Sequence, residues 1–427
     1  MKRICKRLLA RRFIPLALIF FLFHPAHSSA YTLKELQDAG VANRDIIEKY
    51  KLAIQQQEED EKVNKSNFWP KLDVSYNANL LDEETALEND ENSYLMGTLS
   101  YNVFSGFRDR NNVLSSELTT HAREFDFKDI TQEIRYRIAL RYIEIYRAKN
   151  RLDVSKDEVV LITKQHRDAV NRHKVGLIRK NDLLKFKVQL DDSIQKKDSD
   201  EAALQKSLNQ LRFETGVDVS KDDLLFEEFS TIPKVRDFSY YQSVLTEHQS
   251  RIKGLESAIS AQEYNVEASK SAYYPSVDVS ASYKKYGDDF VFGTEENGED
   301  EVRIAMDVNL NLFDGFGKYA NIQKNSIEVK RIKSDLHELK AQLETDLKNI
   351  LNDLDVAEKN LKTAESSVSL AEENQRVSDV AFKGGVESAT DVLVTVLSLS
   401  RAKFNAIDAR SQVFLKYYQL MRLIENL

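Results

Sequence analysis

Glycine, proline and cysteine are scarce in this 427-residue chain, which holds 13, 5 and 1 of them. That scarcity excludes a loop-rich, disordered, collagen-like or disulfide-stapled protein and leaves most of the length to long, unbroken elements, helices by default. The lone cysteine, Cys5, falls in a segment that reads as a secretory signal peptide, residues 1–30. Lys2, Arg3, Lys6, Arg7, Arg11 and Arg12 precede an apolar run from Phe13 to Phe23, and Ser28 and Ala30 put small side chains ahead of a cut before Tyr31. Without that segment the chain has no cysteine, so lipid-anchor thiols, disulfides and thiolate zinc sites are excluded. It then carries 55 basic against 69 acidic side chains, a net of about −14, which argues against nucleic-acid binding. No run after Tyr31 approaches the roughly 20 apolar residues of a membrane-spanning helix. A membrane crossing, if present, is made by strands.

What is present is one plan used twice. Phe68-Trp69-Pro70 matches Tyr273-Tyr274-Pro275 at a shift of 205 residues, and Phe104-Ser105-Gly106-Phe107 matches Phe313-Asp314-Gly315-Phe316 at a shift of 209. Val175-Gly176 followed by Asp182 matches Gly384-Gly385 followed by Asp391 at the same 209. Three landmarks in one order indicate a duplicated domain, too long in period for a solenoid. The expected division is residues 31–215 for the first repeat, 216–236 for an irregular linker and 237–427 for the second repeat.

Each copy holds two segments of period-two alternation, 71–104 and 276–313. Leu72, Val74, Tyr76, Ala78 and Leu80 alternate with Asp73, Ser75, Asn77 and Asn79, and Leu95, Leu99, Tyr101 and Val103 with Thr98, Ser100 and Asn102. In the second copy Val277, Val279, Ala281 and Tyr283 alternate with Asp278, Ser280, Ser282 and Lys284. Val302 to Leu312 continue in the same way. Strands of about ten residues with one apolar face are long enough to cross a bilayer when tilted. Phe68, Trp69, Phe104, Phe107, Tyr273, Tyr274, Phe313 and Phe316 gather at their helix-side ends, where an aromatic girdle meets lipid headgroups. Acidic loops, 82–92 and 287–301, join the opposite ends. Two soluble hairpins packed on helices would explain the alternation but neither the strand length nor the girdle.

The remainder predicts coiled-coil helix. Leu343, Leu347, Ile350, Leu354, Ala357, Leu361, Ala364, Val368 and Ala371 step by four and three, and Ile138, Ile145, Leu152 and Val159 recur every seven. Four strands have open edges that lipid does not tolerate, so other copies must complete a barrel. Two copies give eight strands, filled by their own side chains, whereas three give twelve and a wet interior. The expected fold class is a membrane β-barrel combined with an α-helical barrel, four strands per protomer in a homotrimer.

This order of strand pairs ending in Phe-x-Gly-Phe, long helices and Gly-x5-Asp turns resembles the TolC-like outer-membrane factor family over essentially the whole mature chain. The resemblance implies a trimeric channel-tunnel in the outer membrane of a Gram-negative cell, extending into the periplasm. It would be the passive exit duct of a tripartite system for small-molecule efflux or type I protein secretion. Its implied partners are outer-membrane lipid, a periplasmic adaptor (membrane fusion protein) and an inner-membrane pump or ABC transporter, with no cofactor. The turns Val175, Gly176, Leu177 and Gly384, Gly385, Val386 would receive the adaptor. Asp391, with Asp182, Glu387 and Phe382, would form the pore and gate, three copies of Asp391 making a cation-attracting ring. The chain departs from the family where a Tyr and an Arg latch the gate: Phe382 and Glu387 stand there, with Val394 in place of a second Asp. Lys383 or Arg376 is the expected substitute. The strand exits resemble those of secretion-system members.

Other chemistry is missing from the sequence. His166 and His173 stand seven apart, not the four of a helical metal pair, and neither a phosphate loop nor a nucleophile elbow occurs. The chain is therefore not expected to be an enzyme. The competing non-enzymatic reading, a periplasmic adaptor or a scaffold without a pore, requires for the adaptor Gly- and Val-rich β domains that this sequence lacks.

Overall fold

The structure, a computed structural model, describes residues 30–83, 91–287 and 300–427. The expected signal segment, apart from Ala30, and most of both acidic loops lie outside the described residues. Chain order is α1 (Leu33–Asn43), α2 (Asp45–Ser66), β1 (Lys71–Leu80), β2 (Glu91–Phe104), α3 (Arg108–Lys174) and α4 (Lys180–Thr215). An equatorial stretch follows, then α5 (Phe238–His248), α6 (Ser250–Lys270), β3 (Ser276–Gly287), β4 (Glu301–Asn309), α7 (Gly317–Lys383) and α8 (Ala389–Leu423). The sequence helix, strand pair, long helix, returning helix thus occurs twice. At 67 residues each, α3 and α7 are about 100 Å long.

The four strands form one antiparallel sheet in the order β1-β2-β3-β4. Register places Leu72 opposite Leu99, Leu99 opposite Ala281 and Ala281 opposite Ile304. Asp73, Thr98, Ser282 and Arg303 make the next row, on the other face. One face is therefore apolar across all four strands, and it is bare: Leu72, Val74, Leu80, Val302 and Ile304 are each more than 70% exposed. Among the described residues no helix packs against the sheet beyond glancing contacts at its root. Two strand ends differ from the sequence expectation. β2 begins at Glu91, earlier than Leu95, because Leu80 finds a partner there. β4 ends at Asn309, short of Leu312, because Asn309 already faces Ser276, the first residue of β3.

The helices pack as two antiparallel hairpins, α3 with α4 and α7 with α8. Six of the expected seam residues of α7, Leu343 through Leu361, are buried, while Ala364, Val368 and Ala371 lie half-buried. In α3, Ile138, Ile145 and Leu152 are buried and Val159 is half-buried. Midway along, the equatorial stretch adds Val219, Leu224 and Phe229 to a core that includes Leu36, Tyr142 and Phe414. Tyr142, Phe229 and Phe414 are fully buried, with Phe229 and Phe414 ring centroids 4.6 Å apart. Burial against this apolar core and the neighbouring Glu228 pushes the Tyr142 hydroxyl well above the ordinary phenolic range.

Each strand-to-helix exit is made by two consecutive left-handed residues, Gly106-Phe107 (φ 66° and 70°) and Gly315-Phe316 (φ 68° and 71°). A phenylalanine in this region is strained by about 1–2 kcal/mol. Phe107 is held edge-on to Phe104 (5.2 Å) and Tyr274 (5.8 Å), and Phe316 edge-on to Phe313 (5.5 Å). The glycines are not equivalent. A Cβ on Gly106 would stand 2.7 Å from the Ser271 carbonyl oxygen, whereas one on Gly315 would meet nothing within 4 Å. Gly315→Ala is therefore expected to cost only the backbone term, about 1 kcal/mol, and Gly106→Ala several times more. Thermal melting of the assembled protein in detergent checks this, and equal losses would contradict it.

Candidate functional site

The far ends of the hairpins carry two turns built alike. In the first, Leu177 N–H donates to the Arg172 carbonyl (2.9 Å) and Gly176 N–H to that of His173 (3.0 Å). In the second, Val386 N–H donates to Ala381 (3.0 Å) and Gly385 N–H to Phe382 (3.1 Å). Both are Schellman closures, which need a left-handed residue after the helix end, and Gly176 and Gly385 supply it at φ 79°. Gly384 is right-handed (φ −74°), so its position does not require glycine. Val175, Leu177 and Val386 stand bare, each at least 70% exposed. His173 joins the first turn through Nδ1, 3.1 Å from the Ile178 carbonyl oxygen.

The gate candidates fall into different surroundings. Asp391 is exposed and reciprocally caps α8: its N–H donates to Ser388 Oγ (3.3 Å), and its Oδ2 accepts from Ser388 Oγ (2.6 Å) and N–H (3.2 Å). Asp182, at the matching position of α4, has Arg179 rather than serine as the cap and instead lies 3.5 Å from Lys185 Nζ. Glu387 accepts a hydrogen bond from the Ser378 hydroxyl. Phe382 is not presented at a surface: it is 6% exposed, packed among Phe186, Ile162, Ala389 and Val392, with the Phe186 ring 6.0 Å away. An aromatic ring at the buried helix end fills the wedge where the hairpins meet.

The two cations expected to tie the turns are engaged on their own helix. Lys383 pairs with Asp379, and Arg376 makes a two-pronged contact with Glu373 at 2.7 and 2.8 Å. That contact raises the Arg376 guanidinium further above its ordinary range and lowers the Glu373 carboxyl. The connections between hairpins come from residues the sequence reading did not single out. Arg172 Nη2 donates to the Lys383 carbonyl (3.0 Å) while its guanidinium lies 4.8 Å from the Phe382 ring centroid. Lys185 Nζ donates to Thr390 Oγ1 (2.9 Å). Position 172 lies five residues before the Leu177 amide that closes its helix, a relation visible only once the turn is known.

At the opposite end the aromatic residues lie where the strands meet the helices. Phe68, Trp69, Tyr273, Tyr274, Phe107, Phe313 and Phe316 are all exposed, and Phe104 is half-buried. The polar sheet face above them carries a row of Asn102, Asp278 and Asp307, with Asn102 Nδ2 donating to Asp278 Oδ1 (2.6 Å). No group of three or more His, Cys, Asp or Glu side chains placed to hold a metal occurs among the described residues, and no helix there is long and apolar enough to cross a membrane.

Comparison with known proteins agrees with this geometry. Residues 242–425 match the family model described as outer membrane efflux protein. The outer membrane efflux protein BepC of Brucella suis is 21% identical over 378 residues, covering 86% of this chain and 79% of BepC. The outer membrane protein TolC of Vibrio cholerae is 22% identical over 297 residues, covering 68% and 67%. Among solved structures, the CmeC outer membrane channel of Campylobacter jejuni superimposes with a TM-score of 0.78 at 14% identity, covering 92% of this chain and 85% of that one. The turn chemistry yields a local expectation. Ser388→Ala removes the reciprocal cap and should destabilise the first turn of α8 by about 1 kcal/mol, seen as faster hydrogen exchange at residues 390–393. Arg179→Ser should slow exchange at the start of α4.

Proposed function

We propose that this chain, a TolC-like outer-membrane factor, is the protomer of a trimeric channel-tunnel serving as the passive exit duct of an export system. The observation that carries the reading is the bare apolar face of a four-stranded sheet with both edges open, standing at the root of two helical hairpins whose long arms run about 100 Å. Exposed apolar surface on this scale marks a lipid or protein interface. Three copies close the sheet into twelve strands, with the apolar face toward lipid and the Asp278 and Asp307 face toward water. The aromatic residues at the root then sit at the inner headgroup level, and the helices extend through the periplasm after removal of residues 1–30.

The tip is the gate in this reading. At the tip Arg172 and Lys185 join the α3/α4 and α7/α8 hairpins, and separating the hairpins there breaks both contacts and parts Phe382 from Phe186. The exposed turns around Gly176 and Gly385 receive an adaptor coupled to an inner-membrane pump, and three Asp391 carboxylates favour cations at the entrance. The word efflux in the names of BepC and of the matching family supports an efflux role, while the Phe-x-Gly-Phe exits support protein secretion. Comparing drug sensitivity and the secreted proteome after deletion of the gene separates the two.

Reconstitution tests the channel itself. The protein should require detergent for extraction and conduct ions in planar bilayers, and a water-soluble species without conductance would remove the reading. Arg172→Ala combined with Lys185→Ala should raise single-channel conductance several-fold by freeing the tip. Asp391→Asn should lower the cation-to-anion permeability ratio without lowering the yield of assembled protein, since asparagine at this position still accepts from the Ser388 cap.

A further inference from the structure

The edges that remain open define how neighbouring copies must meet. We infer that β4 of one protomer joins β1 of the next in a single register, with Asn309 opposite Asp73 and Val308 opposite Val74, stepped six residues from a flat continuation of the sheet. The inference rests on the trimeric reading above.

Pairing within the protomer fixes the starting point. Rows running from β1 to β4 put Asp73 level with Arg303 and Lys71 level with Ala305. A flat seam would therefore bring only residues 71–75 against 301–305, leaving half of each edge unpaired in lipid. A step in one direction lengthens the pairing, and a step in the other removes it. The step must be even, because an odd one turns the apolar face of one protomer into the lumen of the next. Threefold symmetry then makes the barrel's total stagger three times the step.

With a rise of about 3.3 Å per residue and strands about 4.8 Å apart, steps of two, four, six and eight tilt twelve strands by about 19°, 35°, 46° and 54°. Only four and six fall near the tilt of membrane barrels, roughly 35–45°. Charge separates these two. A step of four sets Asp307 directly opposite Asp73, and because Asp307 already faces Asp278 in its own sheet, three carboxylates would stand in one row. A step of six sets Asp73 against the Asn309 amide and Asp307 against Ser75. It also faces Met306 with Tyr76, Val302 with Leu80 and Leu310 with Leu72. The last pair accounts for the apolar alternation running past Asn309: Leu310 has no strand partner in its own protomer, yet is placed to meet one in the neighbour.

Cysteine cross-linking reads the register directly, because the only natural cysteine is Cys5, ahead of the expected cleavage point. Asp73→Cys is combined with Asn309→Cys or with Asp307→Cys in the full-length protein, which is extracted in detergent and oxidised with copper phenanthroline. A step of six predicts loss of the monomer band to covalent dimer and trimer on non-reducing denaturing gels for the Asn309 pair only. In that register the Asp307 pair is offset by two residues and beyond disulfide reach. Val74→Cys with Val308→Cys, on the lipid face, should behave as the Asn309 pair does. Cross-linking through Asp307 instead, or through none of the pairs, overturns the register. The mass of the detergent-solubilised particle separates the two failures: a trimer with the wrong cross-link sinks only the register, and a single-copy particle sinks the channel reading beneath it.

Discussion

An unpaired backbone amide or carbonyl costs several kcal/mol in hydrocarbon, and this chain presents two whole edges of them. β1 and β4 close nothing on their own, and the face between them is too apolar to rest in water. That debt organises the rest of the molecule. A sheet of four strands can span a bilayer only as a sector of a larger ring, and a ring made of separate chains needs something to hold its members in step. The long helices give each sheet a firm base, because the α3/α4 and α7/α8 hairpins pack against each other within the chain and carry the sheet at their root. The sheet supplies the reason to assemble, and the helices supply the base.

Much of the architecture was legible because it is periodic. Leucines and alanines stepping by four and three mark the buried stripe of α7, and the two-residue alternation from Leu72 to Leu80 marks the strand and its apolar face. Strand ends were harder to read. β4 stops at Asn309 although its alternation continues to Leu312, since a strand is defined by its partner and the partner at that level is not in the same chain. The equatorial core was also hidden. Tyr142, Phe229 and Phe414 are far apart in sequence and follow no common period, so only folding brings their rings together.

The tip shows a different limit. Spacing found both turns, and the glycine it identified at each, Gly176 and Gly385, adopts the left-handed conformation that the closure demands. Spacing could not find the groups that join the hairpins. Lys383 and Arg376 were the nearest cations to the second turn, yet each has an acid one helical turn away, and a neighbour on the same helix captures a flexible side chain before a distant one can. Arg172 reaches across because its own turn ends there and because the Phe382 ring offers a surface for the guanidinium. Phe382 itself is buried between the hairpins, against Phe186 and Val392.

The two halves share a plan but not a finish. Ser388 and Asp391 lock the start of α8, while the corresponding Arg179 leaves α4 without a side-chain cap. Two turns of one design with unequal caps yield unequally to the same load, the first turn of α4 fraying before that of α8.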